Sequence, residues 1–190
     1  MSELRKRWVL FRHPHADIRF GESSYLGPGF SLHMPTTGSF IVGPGVEFRR
    51  GFRAEVWNGG RITIGRDTVF TYYVVMQCSN EITVGERCQF GQSTMVVDAQ
   101  HRFRNLERPM MAQGYDSARV RIEDDAVVTT KCTIMSSIGT RAFVGANSVV
   151  SRPIPAFTVA VGSPARPIDY FGPPGGEPEE LATRAAPDPS

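Results

Sequence analysis

VGERCQFGQSTM, residues 84–95, decides how the chain is read. A large apolar residue, a glycine, two polar residues and a small residue recur after six positions. They appear as Val84-Gly85 with Cys88, then as Phe90-Gly91 with Thr94. The same hexad runs outward in both directions. Upstream stand Phe20-Gly21 with Ser24, Leu26-Gly27 with Phe30, Val42-Gly43 with Val46, Phe48 with Phe52, Ile64-Gly65 with Thr68, and Phe70 with Val74. Downstream stand Ile122 with Ala126, Val128 with Cys132, Ile138-Gly139 with Ala142, and Val144-Gly145 with Ser148. One hexad reads as a short strand and a tight turn. The large residue points inward and the small one fills the corner. The glycine supplies unusual backbone angles or lets a neighbour approach closely. No single hexad buries its apolar face, but stacked coils do, at about 4.8 Å per layer.

The hexads come in pairs starting at 20, 42, 64, 84, 122 and 138. Intervals near twenty predict a three-sided coil with two regular sides and one longer side. The short last interval predicts a side trimmed by about two residues at Ile134-Met135-Ser136-Ser137. The long interval from 84 to 122 predicts one coil plus an inserted loop of about 101–119, led by His101. Such insertions on solenoids carry function. An antiparallel sandwich of short strands is the alternative. It requires period-two alternation, which few stretches sustain.

Hexads, a histidine-led insertion and the ending VVSRPIPAFTVAVGSPARPI, residues 149–168, together resemble the hexapeptide-repeat acyltransferases. The nearest branch is the galactoside, maltose and polysaccharide O-acetyltransferases. The resemblance runs from about Ile18 to Ile168. It implies an all-β, single-stranded left-handed parallel β-helix with an inserted loop and a C-terminal extension. The left-handed sense is implied by the resemblance alone, since general crossover preferences favour the right hand. The expected division is an N-terminal extension at 1–17, the β-helix at 18–168 and a flexible tail at 169–190.

The resemblance also implies a homotrimer, acetyl-CoA as acyl-donor cosubstrate with no permanently bound cofactor, and a sugar-type acceptor. His101 stands where the family has its catalytic histidine. A sugar hydroxyl needs a base to take its proton as it attacks a thioester, and imidazole suits that near neutral pH. Asp98 either orients His101, binds a hydroxyl or forms a turn. Thr130, Ala146, Ser151, Arg152 and Arg166 match positions of cofactor contact, the arginines being suited to phosphates. Tyr73 and Ser79 fall near the acceptor positions, where the galactoside branch has Asn and Asp. Trp57, Tyr72 and Tyr73 read as coil packing or as a sugar platform. Arg102, Phe103, Arg104 and Arg108 in the loop read by default as a solvated face, the alternatives being contact with a neighbouring chain or with an acidic sugar. After the loop, Val127-Val128-Thr129 replaces the family's Trp-Ile-Gly, which leaves a non-catalytic assembly module as the alternative function.

Composition excludes other classes. The chain has 190 residues, 41% apolar content and a formal charge of +2, so one domain is expected and nothing demands nucleic acid. Arg5-Lys6-Arg7 reads as a solvated end. No apolar run of roughly 18 residues predicts a membrane span, and Met1–Phe11 has no leader-peptide pattern. Cys78, Cys88 and Cys132 lack metal spacing and even pairing, which fits buried thiols in a reducing cytoplasm. His13, His15 and His33 lack zinc-ligand spacing, and no metal is expected. Residues 179–182 read as a possible short helix in a Pro/Gly/Glu-rich tail.

Overall fold

In the computed structural model, which describes residues 1–181, the hexads wind a parallel β-helix. Three sheets make its three faces. The first face stacks the strands Asp17–Phe20, Ser39–Val42, Arg61–Ile64, Glu81–Val84 and Arg119–Ile122. The second stacks Tyr25–Leu26, Glu47–Phe48, Val69–Phe70, Gln89–Phe90, Val127–Val128, Phe143–Val144 and Thr158–Gly162. The third stacks Ser31–His33, Arg53–Val56, Val75–Cys78, Met95–Val97, Thr133–Ile134 and Val149–Val150. The pair starts read from the sequence form one vertical column, Phe20, Val42, Ile64, Val84, Ile122 and, by an isolated bridge, Ile138, and a second bridge extends it to Ile154.

Within the coil the large residues stack on their own kind. Phe48 lies 5.1 Å from Phe70, and Phe70 lies 4.7 Å from Phe90, with rings within 13° of parallel. That spacing is the strand spacing, so the ladder follows directly from in-register stacking. All three rings are fully buried, and each burial is worth about 2–3 kcal/mol.

The second-slot glycines serve close approach. A Cβ on Gly65 would sit 2.5 Å from the carbonyl carbon of Gly85, and one on Gly91 would sit 2.5 Å from that of Thr129. The left-handed backbone falls two residues later, on Asp67, Tyr73, Arg87, Ser93 and Asp125 among others, so ordinary side chains carry it. Of the two roles open to the glycine, the structure selects crowding.

Two expectations need correction. The trimmed side is shorter than the sequence suggested. From Met76 to Val84 the chain takes eight steps, but from Ile134, which stacks in the Met76 column, to Ile138 it takes four. A single bridge at Ile138 replaces a four-residue strand there. The basic start is also not a solvated end. Ser2–Arg12 forms a helix, α1, free of glycine and proline and rich in straight-chain residues. Its Ser2 hydroxyl accepts the Leu26 amide at 2.9 Å, Arg5 donates to the Leu26 carbonyl at 2.9 Å, and Lys6 and Val9 are buried. The helix therefore closes the open edge of the first coil, which would otherwise offer unpaired backbone groups.

At the other end, Ala165–Tyr170 returns antiparallel along Thr158–Gly162. The Phe171 amide then donates to the Phe157 carbonyl at 2.9 Å. Residues 179–181 are helical, and Ala182, the last residue of the helix expected there, lies outside the described residues with the remainder of the tail.

Candidate active site

The site begins at a break in the coil. After Met95–Val97 the chain leaves the third face, and it rejoins the first face at Arg119. The excursion starts two residues before His101, because Ala99–His101 pairs antiparallel with Tyr115–Ser117. His101 thus ends one arm of a hairpin. Its tip is braced by Gln113, whose amide nitrogen donates to the Asn105 and Arg108 carbonyls at 2.9 and 3.0 Å. Arg102 pairs with Asp116 at 2.6 Å. Outside these bonds the hairpin is exposed, and Leu106 is 98% and Met111 73% accessible.

Asp98 stands at the take-off point, in the inward column that Cys78 and Val56 occupy one and two coils earlier. Only 4% of it is accessible. One carboxylate oxygen accepts the Ser79 amide at 2.7 Å, and the other accepts the Asn80 amide at 2.8 Å and the Cys78 thiol at 3.3 Å. Trp57, one coil earlier, donates its amide to a backbone carbonyl of the next coil. At residues 79 and 80 the next coil has departed into the hairpin, and the Asp98 side chain supplies the missing acceptors. Burial pushes the Cys78 thiol up to about 12, and the Asp98 charge adds to the rise. No hydrogen bond or ion pair joins Asp98 to His101 among the described residues. Asp98 sits between two strands, with its carboxylate committed to the Ser79 and Asn80 amides of the preceding coil and withdrawn from solvent.

His101 lies on the ridge between two clefts. One, of about 680 Å³, is lined by the hairpin arms and Met135. The other, of about 450 Å³, is lined by Glu55, Trp57, Gln77, Ser79 and Tyr115. The His101 ring sits 4.3 Å from the Tyr115 ring, and neither ring nitrogen has a hydrogen-bond partner among the described residues. Ser79 therefore joins His101. Tyr73 does not: it occupies a left-handed corner at the opposite edge of the third face.

The cofactor candidates fall into two groups. Thr130 and Ala146 stack one coil apart at the corner between the second and third faces, where the Asn147 amide donates to the Thr130 carbonyl at 3.1 Å. Arg166 joins them from the return strand, whose turn is tied to this corner by the Gly162 amide donating to Ser148 at 3.1 Å. Ser151 and Arg152 lie at the other edge of the third face and are exposed. They follow Val150, whose carbonyl accepts the Met135 amide at 2.9 Å, so they prolong the line of the larger cleft. Thr129, in place of the family's glycine, turns its hydroxyl onto the Val144 carbonyl at 2.7 Å.

Sequence reasoning missed Glu55, Gln77 and Tyr115, and left Trp57 between coil packing and a sugar platform. The signal was present in the coil period. Glu55, Gln77 and Val97 are in register on consecutive coils, pointing outward just below the hairpin.

With this geometry in view, the likenesses are specific. The acetyltransferase VCA0836 of Vibrio cholerae, solved with acetyl coenzyme A, shares 26% identity, with 89% of this chain and 78% of that one covered and a TM-score of 0.61. It is itself described as hexapeptide-repeat containing. In sequence and in its left-handed β-helix fold, this chain is similar to hexapeptide-repeat acetyltransferases. Another acyltransferase, the probable acetyltransferase Rv3034c of Mycobacterium tuberculosis, is 25% identical over 177 residues. That covers 87% of this chain, which spans 56% of the length of the relative. A mutant of AntD, an N-acyltransferase of Bacillus cereus solved with dTDP-4-amino-4,6-dideoxyglucose and coenzyme A, shares the fold at a TM-score of 0.69 and 18% identity, over 87% and 90% of the two chains. No profile of a known protein family matches the chain.

Proposed function

We propose that this chain is a cytoplasmic acetyl-CoA-dependent O-acetyltransferase acting on a hydroxyl of a sugar or polysaccharide precursor. The observation that carries the reading is the position of His101, the one titratable side chain among the described residues that lines both clefts. The larger groove takes the acyl donor, its line continued by Ser151 and Arg152 toward phosphates. Thr130, Ala146 and Arg166 hold a further part of the donor at the neighbouring corner. The smaller cleft takes the acceptor. Trp57 offers an apolar ring face to a sugar, and Glu55, Gln77 and Ser79 offer polar partners to its hydroxyls.

The chemistry is direct transfer. A nitrogen of His101 takes the acceptor hydroxyl proton as the oxygen attacks the thioester carbonyl. The tetrahedral intermediate then breaks its carbon–sulfur bond, and the proton passes to the departing thiolate. Holding donor and acceptor at one base supplies much of the acceleration. Asp98 contributes by fixing the root of the hairpin. Three chains complete the assembly, and the exposed Phe103, Leu106, Met110 and Met111 of the hairpin reach the neighbouring subunit. Burying four such side chains gives the interface an apolar anchor.

The deciding experiment is coenzyme A release from acetyl-CoA with a panel of sugars and nucleotide sugars, including amino sugars because a structural relative is an N-acyltransferase. Wild type is compared with His101→Ala. Turnover that survives the substitution overturns the mechanism. The second reading, a non-catalytic assembly module, is favoured by Val127 and Thr129, where the family's aromatic and glycine are absent. Calorimetry with coenzyme A separates the two, since a module gives no heat and no thermal shift.

A further inference from the structure

Helix α1 buries the face that carries Ser2, Arg5, Lys6 and Val9. At 100° per residue, its outward pole carries Leu4, Trp8 and Phe11, which recur at i, i+4 and i+7. They are 64%, 58% and 77% accessible. Trp8 and Phe11 stack at 6.0 Å, and the Arg12 guanidinium lies 5.6 Å over the Trp8 ring. A helix that packs through cations and points its aromatics outward is inverted relative to an ordinary surface helix. The inversion is held in place, because α1 is bonded to both backbone groups of Leu26 at the end of the coil. The stripe therefore forms part of the terminal face of the solenoid.

We propose that this face docks on an anionic phospholipid surface, with Leu4, Trp8 and Phe11 entering the headgroup boundary. Two observations select that occupant. The helix carries four cations, Arg5, Lys6, Arg7 and Arg12, against one carboxylate, Glu3, which is already paired with Lys6 at 2.7 Å. Arg7 and Arg12 flank the stripe and are exposed. Leu, Trp and Phe beside exposed cations suit a helix lying in the interface plane over anionic lipid. A second copy fits poorly. Two stripes face to face would bring the Arg7 and Arg12 side chains of both copies together. The three side chains also expose only on the order of 400 Å², about half of what each partner contributes to a stable interface. No helix among the described residues is long and apolar enough to cross a membrane, so the attachment is peripheral.

The test is co-sedimentation of the full chain with phosphatidylglycerol-containing vesicles and with pure phosphatidylcholine vesicles, at low and high salt. The expected result is binding to the anionic vesicles, weakened by salt, with a blue shift of Trp8 fluorescence read in a Trp57→Phe background. Trp8→Glu with Phe11→Glu should lower the partition coefficient by at least about tenfold. Arg7→Glu with Arg12→Glu should lower binding to anionic vesicles and leave any residual binding to neutral ones unchanged. Because all four side chains are exposed, a retained circular dichroism spectrum and Tm show that the fold persists. No binding to anionic vesicles at low salt overturns the proposal, as does binding that the aromatic variant leaves intact. A change in sedimentation-equilibrium mass in that variant, without a change in vesicle binding, assigns the stripe to a protein contact and also overturns it.

Discussion

Asp98 reaches across the break in the coil and accepts the Ser79 amide at 2.7 Å, while its other oxygen holds the Asn80 amide at 2.8 Å. The carboxylate does for these two donors what a passing strand does elsewhere. Asp98→Ala leaves both amides without that partner. The expected loss is about 2–4 kcal/mol, since an unmade buried hydrogen bond costs about 1–3 kcal/mol. For a chain of this size that lowers Tm by roughly 5–15 °C, measured by scanning calorimetry. Asp98→Asn retains one acceptor oxygen and should fall between the two.

On the proposed mechanism, His101→Ala lowers kcat by roughly 10²–10⁴-fold, the usual worth of a positioned general base. The side chain is exposed and makes only the ring contact with Tyr115, so Tm should move by no more than a degree or two. Tyr115→Leu removes that ring contact while leaving the imidazole, and should lower kcat by less than the His101 variant. Steady-state kinetics beside thermal melts checks both statements.

Gly65→Ala places a methyl group 2.5 Å from the Gly85 carbonyl carbon. Backbone on both sides prevents relief, and the cost should reach about 3 kcal/mol, the upper end for overpacking. Asp67→Gly, two residues on, sits at φ 55° where glycine is at ease. It loses only an exposed pairing with Arg66 and should change stability by less than about 1 kcal/mol. Urea melts of the two variants separate the crowding role of glycine from its conformational role.

The thiols give a chemical readout of the core. Burial pushes Cys78 up to about 12 and Cys88 up to about 11, so the reactive thiolate of each is scarce at pH 8. A disulfide exchange reagent should leave both unmodified in the folded chain and titrate all three cysteines in guanidinium. Fast modification of Cys78 or Cys88 under native conditions would show that the coil opens at that level.

Much of this fold was legible because its unit is short. Each hexad repeats the same three physical demands: an inward apolar residue, a crowded position and a small corner. The period therefore survives in the chain despite varied side chains. Placing Phe20, Val42, Ile64 and Val84 in one column needs only the intervals between them. Helix α1 was not legible, because Arg5 and Lys6 lie on its packed face and bury aliphatic stems beneath charged heads, which hides its apolar period. The smaller cleft was half legible. Ser79 is one residue past Cys78 and could be placed from the coil, whereas Tyr115 reaches His101 only through the antiparallel pairing of the hairpin arms. Nothing in the local sequence announces that pairing. Asp98 resisted for another reason, since a carboxylate in an inward column makes sense only once the coil above it is known to be missing.

The strand Arg119–Ile122 stacks on Glu81–Val84 residue for residue, although a whole hairpin separates them in the chain. To the spindle, the intervening segment is invisible. Such a joint behaves like a socket: evolution can lengthen, shorten or rewrite the appendage plugged into it, and so reshape the two clefts beside it, while the architecture that carries it goes on folding undisturbed.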